Sequence, residues 1–214
     1  MANMDLNSLR IYLVTHPVLK LPERSLYEIV ERACAAGVSI VQYRDKDCDN
    51  DVFVEVGREI RRITTAYGVP MVVNDRVDTV VAIGADGVHV GQDDMPAAEI
   101  RQLLGPDAIV GVSVLDAKQA AKAESDGASY VAVNGVFATG TKELITGAVG
   151  LKVVSDVCRA VSIPVVGIGG INPTNAAEVI RAGACGVAVV TAITMQDDVQ
   201  AAVQALAAAV RSGL

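Results

Sequence analysis

At 214 residues the chain is long enough for one large domain with a full core and short for two. Its hydrophobic fraction of 51% is carried mainly by Ala and Val, and its net charge of -7 comes without any Lys/Arg run, which argues against a nucleic-acid surface or a polybasic membrane patch. The four cysteines show no C-x-x-C spacing and there are only two histidines, so a zinc site built from His and Cys is disfavoured and the thiols read as small buried hydrophobes.

The stretch from Met1 to Arg10 is polar, without a signal-peptide apolar core, and no apolar run reaches membrane-spanning length. Residues 1–9 read as an N-terminal leader segment, and a soluble, reducing, cytoplasmic setting is expected. From there, short β-branched runs alternate with longer amphipathic segments. The spacing predicts strands over 11–15, 39–44, 71–75, 87–91, 109–114, 130–136, 165–169 and 187–191. Helix-like stretches lie between them, among them 25–36, 51–67 and 175–182, with a last one over 197–211. Gly37, Gly68, Gly84, Gly105, Gly127 and Gly183 stand where such helices should stop. Strict alternation argues for a parallel sheet of α/β class with right-handed crossovers. Eight units suggest a single closed (β/α)8 TIM barrel over residues 1–214, compact for a fold of about 250 residues. An open doubly wound sheet is the alternative; it would more often carry a glycine-rich fingerprint after the first strand, and Leu13-Val14-Thr15-His16-Pro17 has none.

In a barrel the active site lies at the C-terminal ends of the strands. Polar residues of this chain fall there one strand after another. The second strand ends in Gln42 and Arg44 with Lys46 beyond, and alternation points these three the same way while Val41 and Tyr43 face the other side. Two cations and an amide on one rim suit a phosphate or pyrophosphate. The third strand ends in Asn74-Asp75, where a metal counter-ion would be held. The fourth carries His89 and runs into Gly91-Gln92-Asp93-Asp94, and the fifth ends at Ser113. Thr139-Gly140-Thr141-Lys142 follows the sixth, Gly169-Gly170 closes the seventh, and Thr191 closes the eighth. Gly169-Gly170 exposes backbone N–H groups with no Cβ in the way, as a phosphate needs. Each feature also has an ordinary reading. A cation after a strand is usually solvated, and Asp93-Asp94 before Met95-Pro96 could cap the next helix. His89 could be a hydrogen-bonded core residue or a ligand contact, and Asn172-Pro173-Thr174 is an ordinary helix start.

In order and at compatible spacing, six motifs resemble the thiamin phosphate synthase family from Ile11 to Ile193. They are Val41-Gln42-Tyr43-Arg44-Asp45-Lys46, Val73-Asn74-Asp75-Arg76, the run from Gly84 to Asp94, Gly111-Val112-Ser113, Thr139-Gly140-Thr141-Lys142 and Gly167-Ile168-Gly169-Gly170-Ile171. The resemblance implies a transferase that condenses 4-amino-2-methyl-5-(hydroxymethyl)pyrimidine pyrophosphate with a thiazole phosphate, giving thiamin phosphate and pyrophosphate. It implies that Gln42, Arg44, Lys46, Asn74, Ser113 and Lys142 bind the pyrimidine pyrophosphate, with Arg44, Lys46, Lys142 and Ser113 acting in catalysis. It further implies that Asp75 and Asp94 hold Mg²⁺, and that Thr139, Thr141, Gly170, Val190 and Thr191 contact the thiazole phosphate. The partners are then two small molecules, with neither nucleic acid nor membrane; homo-oligomerisation is left open.

The chain departs from the family pattern once. Where Gly-Pro-x-Phe-Pro-Thr is common after the sixth strand, it reads Asn134-Gly135-Val136-Phe137-Ala138-Thr139, so two prolines are missing and ordering this loop around a ligand should be costlier. Three other functions compete with this one. A thiazole tautomerase of similar fold has no use for a pyrophosphate cradle, and the histidine expected of it two residues beyond Ser113 is Leu115 here. A non-catalytic barrel that binds thiamin precursors is disfavoured because both candidate aspartates are present. A Schiff-base aldolase would place a lysine on the sixth strand, which carries Asn134.

Overall fold

Among the described residues, eight short strands pair in parallel and in chain order until the eighth meets the first, so the sheet has no free edge. The computed structural model describes residues 9–15, 25–138 and 148–214. The strands are β1 (Ile11–Val14), β2 (Ile40–Tyr43), β3 (Met71–Asn74), β4 (Gly87–Val90), β5 (Ile109–Val114), β6 (Tyr130–Asn134), β7 (Val165–Ile168) and β8 (Gly186–Val189). Between and after them come α1 (Leu26–Ala35), α2 (Asn50–Ala66), α3 (Thr79–Ile83), α4 (Ala97–Leu104), α5 (Ala117–Ser125), α6 (Gly150–Ala160), α7 (Ala176–Arg181), α8 (Thr191–Thr194) and α9 (Val199–Gly213). The closed (β/α)8 barrel expected from the alternation is therefore observed, and the open sheet is excluded.

Alternation along each strand divides the core in two. Ile11 and Leu13, Val41 and Tyr43, Met71 and Val73, and Val131 and Val133 face outward and pack under the helices. The helices answer at spacings of three and four, as with Val199, Val203, Leu206 and Val210 of α9. The opposite residues, Tyr12 and Val14, Ile40, Val72, Tyr130 and Ala132, Val166 and Ala188, fill the barrel interior together with Leu9. Leu9 belongs to the segment expected to be a leader, yet it is fully buried.

Seven strands stop short of their expected ends; only β5 ends where the pattern put it. The third was expected to run through Asp75, the seventh through Gly169 and the eighth through Thr191. Instead Asp75 turns into the left-handed region at φ 60°, Gly169 does so at φ 107°, and Thr191 opens α8. The apolar pattern carries no signal for where the ladder is abandoned and the chain turns over the barrel mouth.

At the opposite end of the barrel, Asp86 ties α2 to the start of β3. Its carboxylate accepts from both terminal nitrogens of Arg61, at 2.6 and 2.9 Å, and from the Met71 backbone N–H at 2.7 Å. Charge-assisted bonds of this kind contribute about 1.5–3 kcal/mol, and Asp86→Ala would strip partners from a half-buried guanidinium and a buried strand N–H. A loss of about 3 kcal/mol in urea unfolding is expected, with the activity of the remaining folded protein unchanged.

Candidate active site

Period-two alternation aims Gln42 into the barrel, and closure puts it beside Tyr12, whose hydroxyl accepts from Gln42 Nε2 at 2.7 Å. Arg44 lies just beyond β2 and is held to the end of β1: its backbone N–H donates to Thr15 Oγ1 at 2.8 Å, and the Thr15 backbone N–H donates to the Gln42 carbonyl at 2.9 Å. Thr15 thus fixes the stem from which the Arg44 guanidinium projects, a role its sequence context did not signal. At the strand ends lies a cavity of about 820 Å³, a size that suits small-molecule sites. Its β1–β5 side is polar, with Tyr12, Gln42, Arg44, Asn74, His89 and Ser113 in the wall. Its β6–β8 side is largely apolar, with Ala132, Ile168, Ile171, Ala188, Ala192 and Met195.

Gln42, Arg44, Asn74, Ser113, Gly170, Val190 and Thr191 all line this one cavity, as the motifs imply. Lys46, Asp75 and Asp94 do not; they sit on the loops that follow β2, β3 and β4. For Lys46 this corrects the expectation that alternation would carry it alongside Gln42 and Arg44, because β2 ends at Tyr43 and the periodicity ends with it. Lys46 instead reaches across to Asp75, Nζ to Oδ2 at 2.9 Å. The loop that carries it is clamped by Arg76, which donates to Asn50 Oδ1 at 2.6 Å and to the Cys48 carbonyl at 2.7 Å while lying 4.4 Å over the Phe53 ring. Thr139, Thr141 and Lys142 lie outside the described residues.

The alternative in which Asp93-Asp94 caps a helix is not what is seen. Pro96 is the N-cap of α4 and receives no side-chain bond. The Asp94 carboxylate turns back and accepts from the Gly91 N–H at 2.7 Å, and a Cβ on Gly91 would come within 3.0 Å of it. Asp75 is held by its own N–H donating to the His89 carbonyl at 2.9 Å. The two aspartates therefore stand just beyond adjacent strand ends, β3 and β4, with the Asp94 carboxylate on Gly91 and the Asp75 carboxylate on Lys46. Among the described residues no group of three or more His, Cys, Asp or Glu is arranged to hold a metal ion. Two carboxylates fit Mg²⁺, which is commonly held by one or two carboxylates together with substrate phosphates and water.

On the far side, Gly169 and Gly170 both take positive φ, at 107° and 63°. A Cβ on Gly169 would meet the Gly135 Cα at 2.7 Å, and one on Gly170 would meet the Ala138 carbonyl oxygen at 2.4 Å. The loop after β6 thus lies directly on the glycine pair, with the Val136 and Phe137 N–H groups donating to the Ile168 and Gly169 carbonyls at 3.0 Å. Gly135 sits at φ 74°, a value proline cannot reach because its ring holds φ near about -65°. Proline therefore cannot replace Gly135 without a change in the backbone of this loop.

His89 is both things the sequence allowed: it lines the cavity, and it is buried with Nδ1 2.8 Å from the Tyr130 hydroxyl and Nε2 2.9 Å from Ser113 Oγ. Tyr12 and Tyr130 escaped the sequence reading, although a large polar ring at an inward position of a barrel strand was the available signal. No nucleophile emerges among the cysteines. Burial pushes the Cys34 thiol up to about 12 and those of Cys158 and Cys185 up to about 11, so none is a thiolate near neutral pH.

Comparison with known proteins agrees with this fold. The family model described as thiamine monophosphate synthase matches residues 11–193. The chain is 47% identical over 192 residues to a thiamine-phosphate synthase of Roseiflexus sp. (strain RS-1), covering 90% of this chain and 81% of that one. It is 43% identical over 204 residues to the thiamine-phosphate synthase of Clostridium novyi (strain NT), covering 95% and 99%. A solved thiamine phosphate pyrophosphorylase from Pyrococcus furiosus superposes with a TM-score of 0.86 at 36% identity, covering 98% of both chains. A mandelate oxidase superposes at 0.70 with 17% identity, a likeness of barrel alone. The chain belongs to the thiamine monophosphate synthase family.

Proposed function

We propose that this chain is a transferase that joins 4-amino-2-methyl-5-(hydroxymethyl)pyrimidine pyrophosphate to a thiazole phosphate, releasing pyrophosphate and forming thiamin phosphate. The observation that carries this reading is the division of one cavity into a polar wall bearing Gln42, Arg44, Asn74 and Ser113 and an apolar wall bearing Ile168, Ala188 and Met195. The polar wall suits the aminopyrimidine and its pyrophosphate, and the apolar wall suits the thiazole ring. In the reaction the bond from the pyrimidine methylene carbon to the pyrophosphate oxygen breaks, its electron pair leaving with pyrophosphate, and the thiazole nitrogen supplies the pair for the new C–N bond. The electron-rich aminopyrimidine can spread positive charge from that carbon, so departure can run ahead of attack. Arg44 of the polar wall would place positive charge where the leaving group gathers negative charge, and Lys46 and Lys142 would add to it, the preorganised electrostatics that usually dominate. Asp75 and Asp94 would hold Mg²⁺, which when bound supplies further charge neutralisation at the pyrophosphate. Gly170, Val190 and Thr191, with Thr139 and Thr141, would hold the thiazole phosphate. The cavity's remaining task is to bring nitrogen and carbon to near-attack distance. A cytoplasmic setting accompanies this reading; no helix among the described residues is long and apolar enough to cross a membrane.

Mixing both substrates with and without Mg²⁺ and following pyrophosphate release tests the assignment. Release is expected only when thiazole phosphate and metal are both present; release that needs neither would refute it. Tautomerase chemistry is disfavoured because the residue two beyond Ser113 is Leu115, on the exposed side of the β5 end. The loop after β6 lacks both family prolines, so thiazole phosphate should bind more weakly than in members that have them. Equal affinities in titration calorimetry would refute that expectation.

A further inference from the structure

A line of hydrogen bonds crosses the barrel interior and joins two residues of the cavity wall. Gln42 Nε2 donates to Tyr12 Oη at 2.7 Å, the Tyr12 and Tyr130 hydroxyls lie 2.7 Å apart, Tyr130 Oη is 2.8 Å from His89 Nδ1, and His89 Nε2 is 2.9 Å from Ser113 Oγ. Tyr12, Gln42, His89 and Tyr130 are all buried. The backbone makes room for the line. In the ladder His89 is opposite Gly111 and Gly111 is opposite Tyr130, so the two rings meet over a residue with no side chain. A Cβ on Gly111 would lie 2.3 Å from Tyr130 Oη and 2.5 Å from His89 Nδ1. The rings stack at 5.5 Å, and Tyr12 meets Tyr130 edge-on at 5.9 Å.

Each phenol has one proton to give and a neutral imidazole has one N–H, and for that protonation state the polarity of the whole line is fixed. Burial raises both phenols far above their ordinary pKa, so they stay protonated. Because Tyr12 accepts from the Gln42 amide, its own proton goes to Tyr130. Tyr130 then donates to His89 Nδ1, the imidazole proton sits on Nε2, and that N–H donates to Ser113 Oγ. At the cavity, Gln42 is left presenting its carbonyl oxygen and Ser113 its O–H. Turning the Gln42 amide over reverses every bond: Ser113 then donates to His89 Nε2 and is left as an acceptor at the cavity. The two ends cannot be set independently without leaving a buried donor or acceptor unpaired.

We propose that Tyr12, Tyr130 and His89 are positioning residues that lock the amide orientation of Gln42 to the hydroxyl polarity of Ser113, so that the cavity selects a pyrimidine offering an amine donor beside a ring-nitrogen acceptor. A 4-oxo pyrimidine offers the reverse pattern and is rejected because accepting it requires the entire line to invert. This rests on the pyrimidine-transfer reading above and adds the device that distinguishes an amino from an oxo ring.

The test measures, by titration calorimetry, affinities for the 4-aminopyrimidine pyrophosphate, its 4-oxo counterpart and inorganic pyrophosphate in the natural protein, Tyr130→Phe and Tyr12→Phe. The natural protein should prefer the amino ligand by about 100-fold or more. Either phenylalanine keeps the ring and cuts the line, so the preference should fall about tenfold while inorganic pyrophosphate binds within about twofold of the natural affinity. Ser113→Ala should weaken the amino ligand less in the Tyr130→Phe background than alone. A preference unchanged in both phenylalanine variants overturns the proposal, as does a natural protein that binds both rings equally. A natural protein that binds neither ring overturns the pyrimidine-transfer reading with it. If Tyr130→Phe does not fold, Tyr12→Phe breaks the line one link away and decides alone.

Discussion

Asp75→Asn should lower kcat/KM for thiamin phosphate formation by about 10²–10³-fold while leaving the melting temperature within about 2 °C of the natural protein. The carboxylate is the part of the residue that the proposed metal and Lys46 use, and the Lys46 ammonium is 2.9 Å from it. The backbone is the other part. Asp75 sits at φ 60°, where most L-residues are penalised by about 1–2 kcal/mol, but Asn adopts this region as readily as Asp. The amide therefore removes the charge and keeps the turn. Asp75→Ala removes both and should melt lower than Asp75→Asn, which makes it the poorer probe of chemistry. A Mg²⁺ titration of pyrophosphate binding gives a readout apart from turnover: the metal concentration needed should rise in Asp75→Asn. Turnover within threefold of normal would remove Asp75 from the proposed metal site.

Arg44→Ala should slow pyrophosphate release by about 10²–10³-fold, with most of the loss in kcat. Arg44 is the described cation in the cavity wall, and its stem is held by paired bonds to Thr15, so its position needs little reorganisation as the leaving group separates. Charge on the departing oxygens is greater in the transition state than in bound substrate, which is why kcat should bear the change. Thiazole phosphate, bound at the other wall, should keep its affinity. Arg44→Lys should recover only part of the rate, since an ammonium cannot engage two phosphate oxygens in the planar fork of a guanidinium. If KM for the pyrimidine pyrophosphate rises with kcat unchanged, Arg44 contributes uniform binding only.

Some of this site could be read residue by residue. Gln42, Arg44, Asn74 and Ser113 lie within one residue of the ends of strands whose apolar partners show the inward and outward parity, and parallel barrels place active sites at those ends. Asp94 was ambiguous, because an acidic pair before Met95-Pro96 suits a helix cap as well as a site. The choice was made by Pro96 taking the cap position and by Gly91 leaving room for the carboxylate. Lys46 lies past the end of β2, where alternation no longer governs direction, and its side chain turns to Asp75.

The order of apolar runs and helix stops pointed to eight β/α units, since each is a local pattern imposed by burial on two faces, and the closed sheet excluded the open alternative. Local pattern also told which side of each strand would face the barrel axis. It held no information on which inward residues would meet across that axis. Tyr12 and Tyr130 are separated by 118 positions and touch only because the sheet closes, and Tyr130 reaches His89 only because Gly111 stands between them in register. Such contacts depend on shear and closure, which are properties of the assembled barrel and leave no periodic trace in the chain. The same holds for Gly135: its left-handed backbone arises from the loop resting on Gly169, a constraint delivered by a strand more than thirty residues further on.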